Sequence, residues 1–280
     1  MLRSIQSMAC ATLLCTLCAT SVAADAGGDT AAVELPPVIT VAARTAGTFA
    51  DAPVPASVVT SRDIRKMGAS TVGDVLAEQT GLTVIQDHGV GVQMQGLSPD
   101  YTLILVDGEP AVGRTAGTLD LARFKVGGLE QVEIVQGPSS SLYGSDALGG
   151  VVNIVTRKPI DPFSVSFNSR YGTNNSLETG GTMEAKTGNT GFSVFADRSA
   201  SDGYDLDPER RGKSAPPYSN YTVQPKVVHD WSENSRLTIA PRFFREDQEN
   251  SVNFLSEGDT TYARERSTRD DWGLSATVEQ

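Results

Sequence analysis

Residues 160–280 alternate apolar and polar side chains with a period of two, and no other feature limits the possible folds of the chain as strongly. The segment SVSFNSRYG, for example, places Val165, Phe167 and Tyr171 on one face and polar side chains on the other. Later segments repeat the pattern as far as WGLSATV, although Phe195 interrupts it in FSVFADRS. This is the period of a half-buried β-strand, and it predicts about six strands in the region.

The connections between these strands alternate in length. Residues 189–190 and 232–234 are predicted to be tight turns, whereas residues 200–218 and 246–266 are predicted to be long, charged loops. Short turns at one end of a sheet and long loops at the other are typical of an outer-membrane β-barrel. A soluble β-sandwich is the alternative. Because about six strands do not close a wide barrel, residues 160–280 are predicted to be the first part of one, in a longer protein.

Residues 56–159 are predicted to form a compact α/β unit before the barrel strands. Its strand-like segments run from ASVVTS to VVNIV. Two short helices are predicted at residues 63–67 and 70–79, the second of them capped by Ser70.

A turn dense in glycine, serine and proline joins the last two strands of this unit, within residues 133–159. Glycine tolerates positive φ angles and close backbone approach, so the turn is predicted to be architectural. No Gly-x-Ser-x-Gly nucleophile motif occurs in it. The residues assigned to this structural turn are Gly137, Pro138, Tyr143, Gly144, Gly149 and Gly150.

Residues 1–24 have the composition of a secretory signal peptide. Arg3 precedes an apolar run at residues 8–19, and small residues follow it. All three cysteines lie in this segment, so the exported chain is predicted to hold no disulfide. Residues 25–55 are predicted to be a flexible periplasmic segment. The net charge of -11 argues against nucleic acid as a partner, because phosphate binding requires basic surfaces.

Several segments together resemble the TonB-dependent outer-membrane receptors, the family of siderophore, haem and cobalamin receptors. The isolated peptide VITVAAR resembles their TonB box, and STVGDVLAEQTGLTVI, YTLILVDGEP and LEQVEIVQGPSSSLYGSDALGGVVNIVTRKP resemble successive blocks of their plug domain. The resemblance implies an α/β plug domain at residues 56–159, followed by the first antiparallel strands of a transmembrane β-barrel at residues 160–280. It also implies a receptor in the outer membrane of a Gram-negative cell, in contact with its lipid.

The resemblance further implies a partner, the TonB protein of the inner-membrane TonB–ExbB–ExbD complex. TonB would add the TonB box to its own sheet as an extended strand. The residues predicted to bind TonB are Val38, Ile39, Thr40, Val41 and Ala42. A receptor of this kind is not an enzyme, and no cofactor is expected apart from the transported iron complex.

Two positions depart from the family's pattern. The family commonly has a basic residue where this chain has Gln95, and another where it has Gln136. Those cations usually face carboxylates of the barrel. Neutral hydrogen bonds are therefore predicted to hold the plug at these two points.

The cargo implied by the resemblance is a small metal chelate, and a ferric siderophore is the preferred prediction. The plug residues predicted to contact it are Asp87, His88, Arg114 and Thr115. Arg114 would meet an anionic siderophore, whereas His88 would coordinate the iron if the cargo were haem. A haem or cobalamin receptor and a receptor that only signals are the alternatives. Asp202, Asp205 and Asp207 share one loop and are a candidate Ca²⁺ site, against a solvated acidic loop.

Overall fold

The computed structural model describes residues 55–87, 89–114, 117–138, 143–206, 213, 215–232, 235–256 and 259–279. The predicted leader at residues 1–24 and the predicted TonB-binding residues 38–42 lie outside the described residues. His88, Thr115 and Asp207 also lie outside them. The roles assigned to all of these residues stay predictions.

Two short helices follow the first strand of the α/β unit. They are α1 (Ser61–Met67) and α2 (Val72–Ala77). The prediction that Ser70 caps the second helix is wrong, because the side chain of Thr71 accepts the bond from the Asp74 amide and the Asp74 carboxylate completes a capping box. The side chains that α2 buries are those that its periodicity indicates, namely Val72, Val75 and Leu76.

The unit also contains a five-stranded sheet in the order β1-β6-β7-β4-β5, in which only β4 and β7 are parallel neighbours. Its strands are β1 (Ala56–Thr60), β4 (Thr102–Val106), β5 (Glu109–Pro110), β6 (Leu129–Gln136) and β7 (Gly150–Thr156). A separate hairpin consists of β2 (Leu82–Asp87) and β3 (Gly89–Met94). Side chains from α2, β3, β6 and β7 share one buried apolar core. We call residues 55–156 the plug.

The remaining strands form one antiparallel six-stranded sheet in sequential order, which we call the wall. They are β8 (Phe163–Tyr171), β9 (Leu177–Thr187), β10 (Thr190–Ser201), β11 (Tyr218–Ser232), β12 (Ser235–Ser256) and β13 (Asp259–Glu279). An α/β unit followed by antiparallel strands is the predicted fold class, which is confirmed. The wall is an open sheet with β8 and β13 at its edges.

The prediction of a long loop at residues 246–266 is wrong. β12 continues to Ser256 and β13 begins at Asp259, so most of the segment is paired strand. Opposite charges face each other across this pair, as in Glu246↔Arg269 and Glu249↔Arg266. Such cross-strand pairs stabilise a strand that is polar on both faces, which is why charge density alone indicated a loop.

The two faces of the wall differ as the alternation predicts. Val165, Phe167 and Tyr171 are exposed on the outward face, whereas the inward face packs on the plug. The connections 172–176 and 202–217 lie at one end of the wall, the loop end, and the turn at residues 188–189 lies at the other, the turn end. Within the part of the chain that the structure describes, no helix has the length and apolar character needed to cross a membrane.

Candidate functional site

The interface between plug and wall is the candidate functional site, because charged side chains are buried there instead of exposed to solvent. Side chains of this kind come from both units. They are Asp120, Arg123 and Lys125 of the plug and Glu184, Asp197 and Lys226 of the wall. Charges in such surroundings are stable only when they are paired or hydrogen-bonded, so their partners show how the plug is held.

Arg123 and Asp271 form a buried ion pair across the interface. Arg123 Nη1 lies 2.8 Å from Asp271 Oδ2, and the two side chains are only 4% and 12% exposed. Burial lowers the pKa of Arg123, and the Asp271 carboxylate opposes that shift. Arg242 Nη2 lies 3.6 Å from the same Oδ2 atom. Two guanidinium groups, one from each unit, therefore share one carboxylate on this side of the plug.

Lys226 makes a second ionic contact, at the point where the plug chain leaves its sheet. Its Nζ atom lies 2.9 Å from Asp107 Oδ2 and also donates to the hydroxyl of Thr156. The other Asp107 oxygen accepts the Thr156 amide at 2.7 Å. Asp107 lies in the β4–β5 turn with a φ angle of 50°, and Thr156 is the last residue of β7. One wall lysine thus binds a turn and a strand end of the plug together.

A cavity of about 830 Å³ opens between plug and wall towards the loop end. This volume is in the range of pockets that bind small ligands. Arg269 of β13 lies 3.6 Å from Asp120 of the plug at its edge. The Asp120 carboxylate also accepts the Val90 amide at 3.0 Å, which ties the β2–β3 hairpin to the cavity. Other lining residues are Gln86, Lys125, Asn174, Tyr218, Asn220 and Glu246.

The interface has a different chemistry along β10 and β11. Two directly opposed pairs of inward residues lie there, Asp197↔Thr222 and Ser199↔Asn220. Each residue has a buried side-chain oxygen without a hydrogen-bond partner, and each side chain is at most 7% exposed. We call these four residues the seam.

The two glutamines that depart from the family's pattern do not take the place expected for them. Gln136 Nε2 donates to the carbonyl oxygen of Thr80 at 3.0 Å, a contact within the plug. Gln95 lies near Gly137 of the plug and has a φ angle of 53°. The prediction that neutral hydrogen bonds hold the plug against the barrel at these two points stays a prediction, and the ionic contacts between plug and wall described above lie at Lys226 and Asp271.

The glycine-dense turn brings three parts of the plug together. The Gly137 amide donates to Gly149 O at 3.0 Å, and the Gly149 amide donates to Tyr101 O at 2.8 Å. A Cβ atom at Gly150, whose φ angle is 152°, would overlap the carbonyl oxygen of Val135. Tyr143 packs against a small apolar cluster that includes Val135. Gly144 has a φ angle of 85°, and Pro138 is exposed.

Arg114 directs its guanidinium into the plug. Its nitrogens donate to the carbonyl oxygens of Pro99, Asp100, Thr102 and Gly117 at 3.0–3.3 Å. This geometry braces the loop around Arg114 and does not present the cation to a ligand. Asp87 pairs with Gly89 at the tip of the β2–β3 hairpin. The ligand role assigned to both residues stays a prediction.

Of the three candidate calcium residues, the structure describes Asp202 and Asp205. The Asp202 carboxylate accepts the Asn175 amide at 2.6 Å, and the Asp202 carbonyl accepts a bond from Lys213, so this residue ties the connections at the loop end together. Among the residues that the structure describes, no group of three or more His, Cys, Asp or Glu side chains could hold a metal ion.

Sequence reasoning missed Asp107, Arg123, Lys226 and Asp271. Arg123 and Asp271 are 148 positions apart in the chain. Only Asp107 carried a local signal, since an Asp-Gly pair after a strand predicts a turn. Nothing local in the sequence indicates which of the many charged residues meet across the interface.

The family model described as TonB-dependent Receptor Plug Domain matches residues 48–151. This match spans the helices, the β2–β3 hairpin and nearly all of the sheet described above. The plug is therefore similar to the plug domain of TonB-dependent receptors.

Solved structures of such receptors share the fold. The siderophore receptor PirA from Acinetobacter baumannii superposes with a TM-score of 0.60 at 19% identity, over 69% of this chain and 32% of that one. The ferripyoverdine receptor of the outer membrane of Pseudomonas aeruginosa gives 0.64 at 19% identity, over 76% and 28%. A mutant of the ferric enterobactin receptor from the same organism gives 0.57 at 16% identity, over 80% and 45%. The chain therefore spans less than half the length of these TonB-dependent receptors.

Proposed function

We propose that the complete receptor takes up a scarce iron complex across the outer membrane, and that the preferred cargo is a ferric siderophore. The observation that carries the proposal is the plug itself, seated by ion pairs against the wall beneath a cavity of about 830 Å³. A binding cavity above a removable obstruction is what active uptake of a small chelate requires. The structural relatives whose names specify a siderophore or an iron chelate support this cargo class.

The energy for moving the plug comes, in this proposal, from TonB of the TonB–ExbB–ExbD complex. TonB binds residues 38–42, which precede β1 in the chain. The apolar outward face of the wall contacts lipid, as the exposure of Phe167, Trp272 and Leu274 supports. Residues 1–24 direct export. The proposal includes no calcium ion, because the Asp202 carboxylate already accepts Asn175.

The test separates binding from uptake in the complete receptor. Ile39→Pro removes a backbone donor that strand addition to TonB requires. Uptake of a radioactive ferric siderophore should be lost, while its binding to whole cells should not change. Ala46→Pro, in the same predicted flexible segment, is the matched control and should leave both unchanged. Uptake by Ile39→Pro at the wild-type rate would refute the coupling role of residues 38–42.

The cargo is tested by growth of a deletion strain on single iron sources and, in a separate assay, by its growth on limiting cobalamin. Growth on a ferric siderophore that depends on the receptor supports the preferred cargo. Dependence on haem or cobalamin instead would select one of the alternatives. Binding and signalling without any uptake would identify a receptor that only signals. His229 lies at the turn end, where it contacts the Thr190 hydroxyl, and is not among the residues that line the cavity at the loop end.

A further inference from the structure

Phe195 is an exception on the inward face of β10. The other inward side chains around it are polar, with Ser193 on one side and Asp197 and Ser199 on the other. Phe195 itself is only 4% exposed, so its ring is buried in the interface between wall and plug. An aromatic side chain in a polar row is the reason that the period-two pattern fails at this position.

The ring of Phe195 lies against two consecutive glycines of the plug. A Cβ atom added at Gly127 would lie 2.7 Å from a Phe195 ring carbon, and one added at Gly128 would lie 2.9 Å from another. Both distances are too short for a real side chain, so only glycine permits this approach. The two glycines belong to the short 3-10 helix Val126–Gly128. The ring therefore fits closely against bare backbone, with no ionic contact between them.

Different environments lie on the two sides of this contact. Towards the loop end lies the seam, and above it the cavity of about 830 Å³ reaches Asn220 and Lys125. Towards the turn end lies a second cavity of about 610 Å³, which is lined by Phe195, Gly128 and Lys226 and extends along β12 and β13 to Arg242 and Ser275. Phe195 and Gly128 thus stand between the two cavities.

The four seam oxygens indicate what passes between these cavities. A buried polar oxygen without a partner is unfavourable in a dry interface, and four of them lie on two adjacent strands. Such a lining stabilises water or the polar groups of a moving solute far better than it stabilises a dry protein contact. On the β12–β13 side the Arg123–Asp271 ion pair joins plug and wall.

We propose that the cargo route runs along β10 and β11 and that Phe195, seated on Gly127 and Gly128, is the gate that closes it. This inference rests on the proposed uptake function. The gate opens when the segment 126–128 moves away from the ring, because no ionic contact has to break between them. The ion pairs at Asp271 hold the other side of the plug in place during this movement.

A reversible disulfide tests the gate in the complete receptor. An ideal Cβ atom at Gly128 lies 3.1 Å from Phe195 Cβ, so a shift of a few tenths of an ångström brings Gly128→Cys and Phe195→Cys to the separation of a disulfide. Gly191→Cys with Pro159→Cys is a matched control, because an ideal Cβ atom at Gly191 lies 3.2 Å from Pro159 Cβ. This bridge joins β10 to the segment between β7 and β8, away from the gate. The three native cysteines lie in the predicted leader.

The first pair should abolish uptake when oxidised and restore it on reduction, whereas the control pair should sustain uptake in both states. If the oxidised first pair still transports, or if both pairs block transport equally, the gate is not at Phe195. If the wild-type receptor takes up no ferric siderophore either, the proposed function is refuted, but the gate is not. The next measurement then decides whether the gate exists.

The second measurement does not depend on the cargo. Phe195→Ala should let a small hydrophilic antibiotic enter cells without TonB, because the two cavities would then join. Phe244→Ala is the control, since Phe244 is also a buried aromatic on the inward face but lies beside Asp271 in the register. Equal antibiotic sensitivity of Phe195→Ala and the wild-type receptor would overturn the proposal, as would equal sensitisation by the two variants.

Discussion

The plug meets the wall in two different ways on its two sides. On β12 and β13 the contact is ionic, with Arg123 and Arg242 around Asp271. On β10 and β11 the contact is the seam, with four unpartnered oxygens above one aromatic ring, and only Lys226 nearer the turn end is ionic. One row of paired residues crosses both sides, from Asp197 and Thr222 through Phe244 to Asp271. The difference indicates that one side anchors the plug and the other side can open.

The largest effect is expected on the anchoring side. Asp271→Asn keeps the shape of the side chain but leaves Arg123 buried without its counter-charge. Breaking a buried pair in this way costs about 3–5 kcal/mol. The plug of the purified receptor should therefore be cleaved by trypsin much faster, because cleavage follows the population of the open form. Glu249→Gln is the control, since its partner Arg264 is 76% exposed and such pairs contribute at most about 1 kcal/mol. Equal cleavage of the two variants would remove the distinction between anchoring pair and surface pair.

A smaller effect is expected for Lys226, which lies on β11 nearer the turn end than the seam. Lys226→Met removes the ammonium group but leaves Asp107 with the amide and hydroxyl of Thr156. The loss should be about 1.5–3 kcal/mol, the range for a hydrogen bond to a charged group. Trypsin cleavage of the plug should accordingly rise less than in Asp271→Asn. A double variant of Lys226→Met and Asp107→Asn should lose less than the sum of both single variants, because both remove the same contact.

The smallest effect is expected for Thr71→Ala, which removes the N-cap of α2. A lost cap of this type costs about 1 kcal/mol. The Thr71 segment also pairs with Lys125, beside the loop that carries both Arg123 and Gly127. Both sides should therefore loosen together, with modest increases in trypsin cleavage and no passage of antibiotic. Passage of antibiotic through Thr71→Ala would show that general loosening, and not the Phe195 contact, controls the route.

The sequence predicts the fold class well and the interface poorly, for physical reasons. A period of two reports which side chains share a face, so the outward positions Val165 and Phe167 could be recognised. The same pattern marked Phe195 as irregular but could not show that its ring faces two plug glycines. The β12–β13 pair was missed because charges that neutralise each other across strands look like a solvated loop in one dimension. The partners of Asp271 could not be predicted, since Arg123 and Arg242 are two among many cations in the chain.

The most direct test of the comparison uses two residues that are paired in the wall and equally buried. Thr222 and Phe244 are register partners and are 1% and 2% exposed, so static burial predicts that neither position is accessible. Thr222→Cys and Phe244→Cys would each be introduced into the complete receptor, with the parent receptor in parallel. The rate of modification by a water-soluble thiol reagent would then be measured. We expect rapid modification at Thr222→Cys and slow modification at Phe244→Cys, even though the latter change removes more side-chain volume. Equal rates, or a faster reaction at Phe244→Cys, would contradict the assignment of the opening side to β10 and β11.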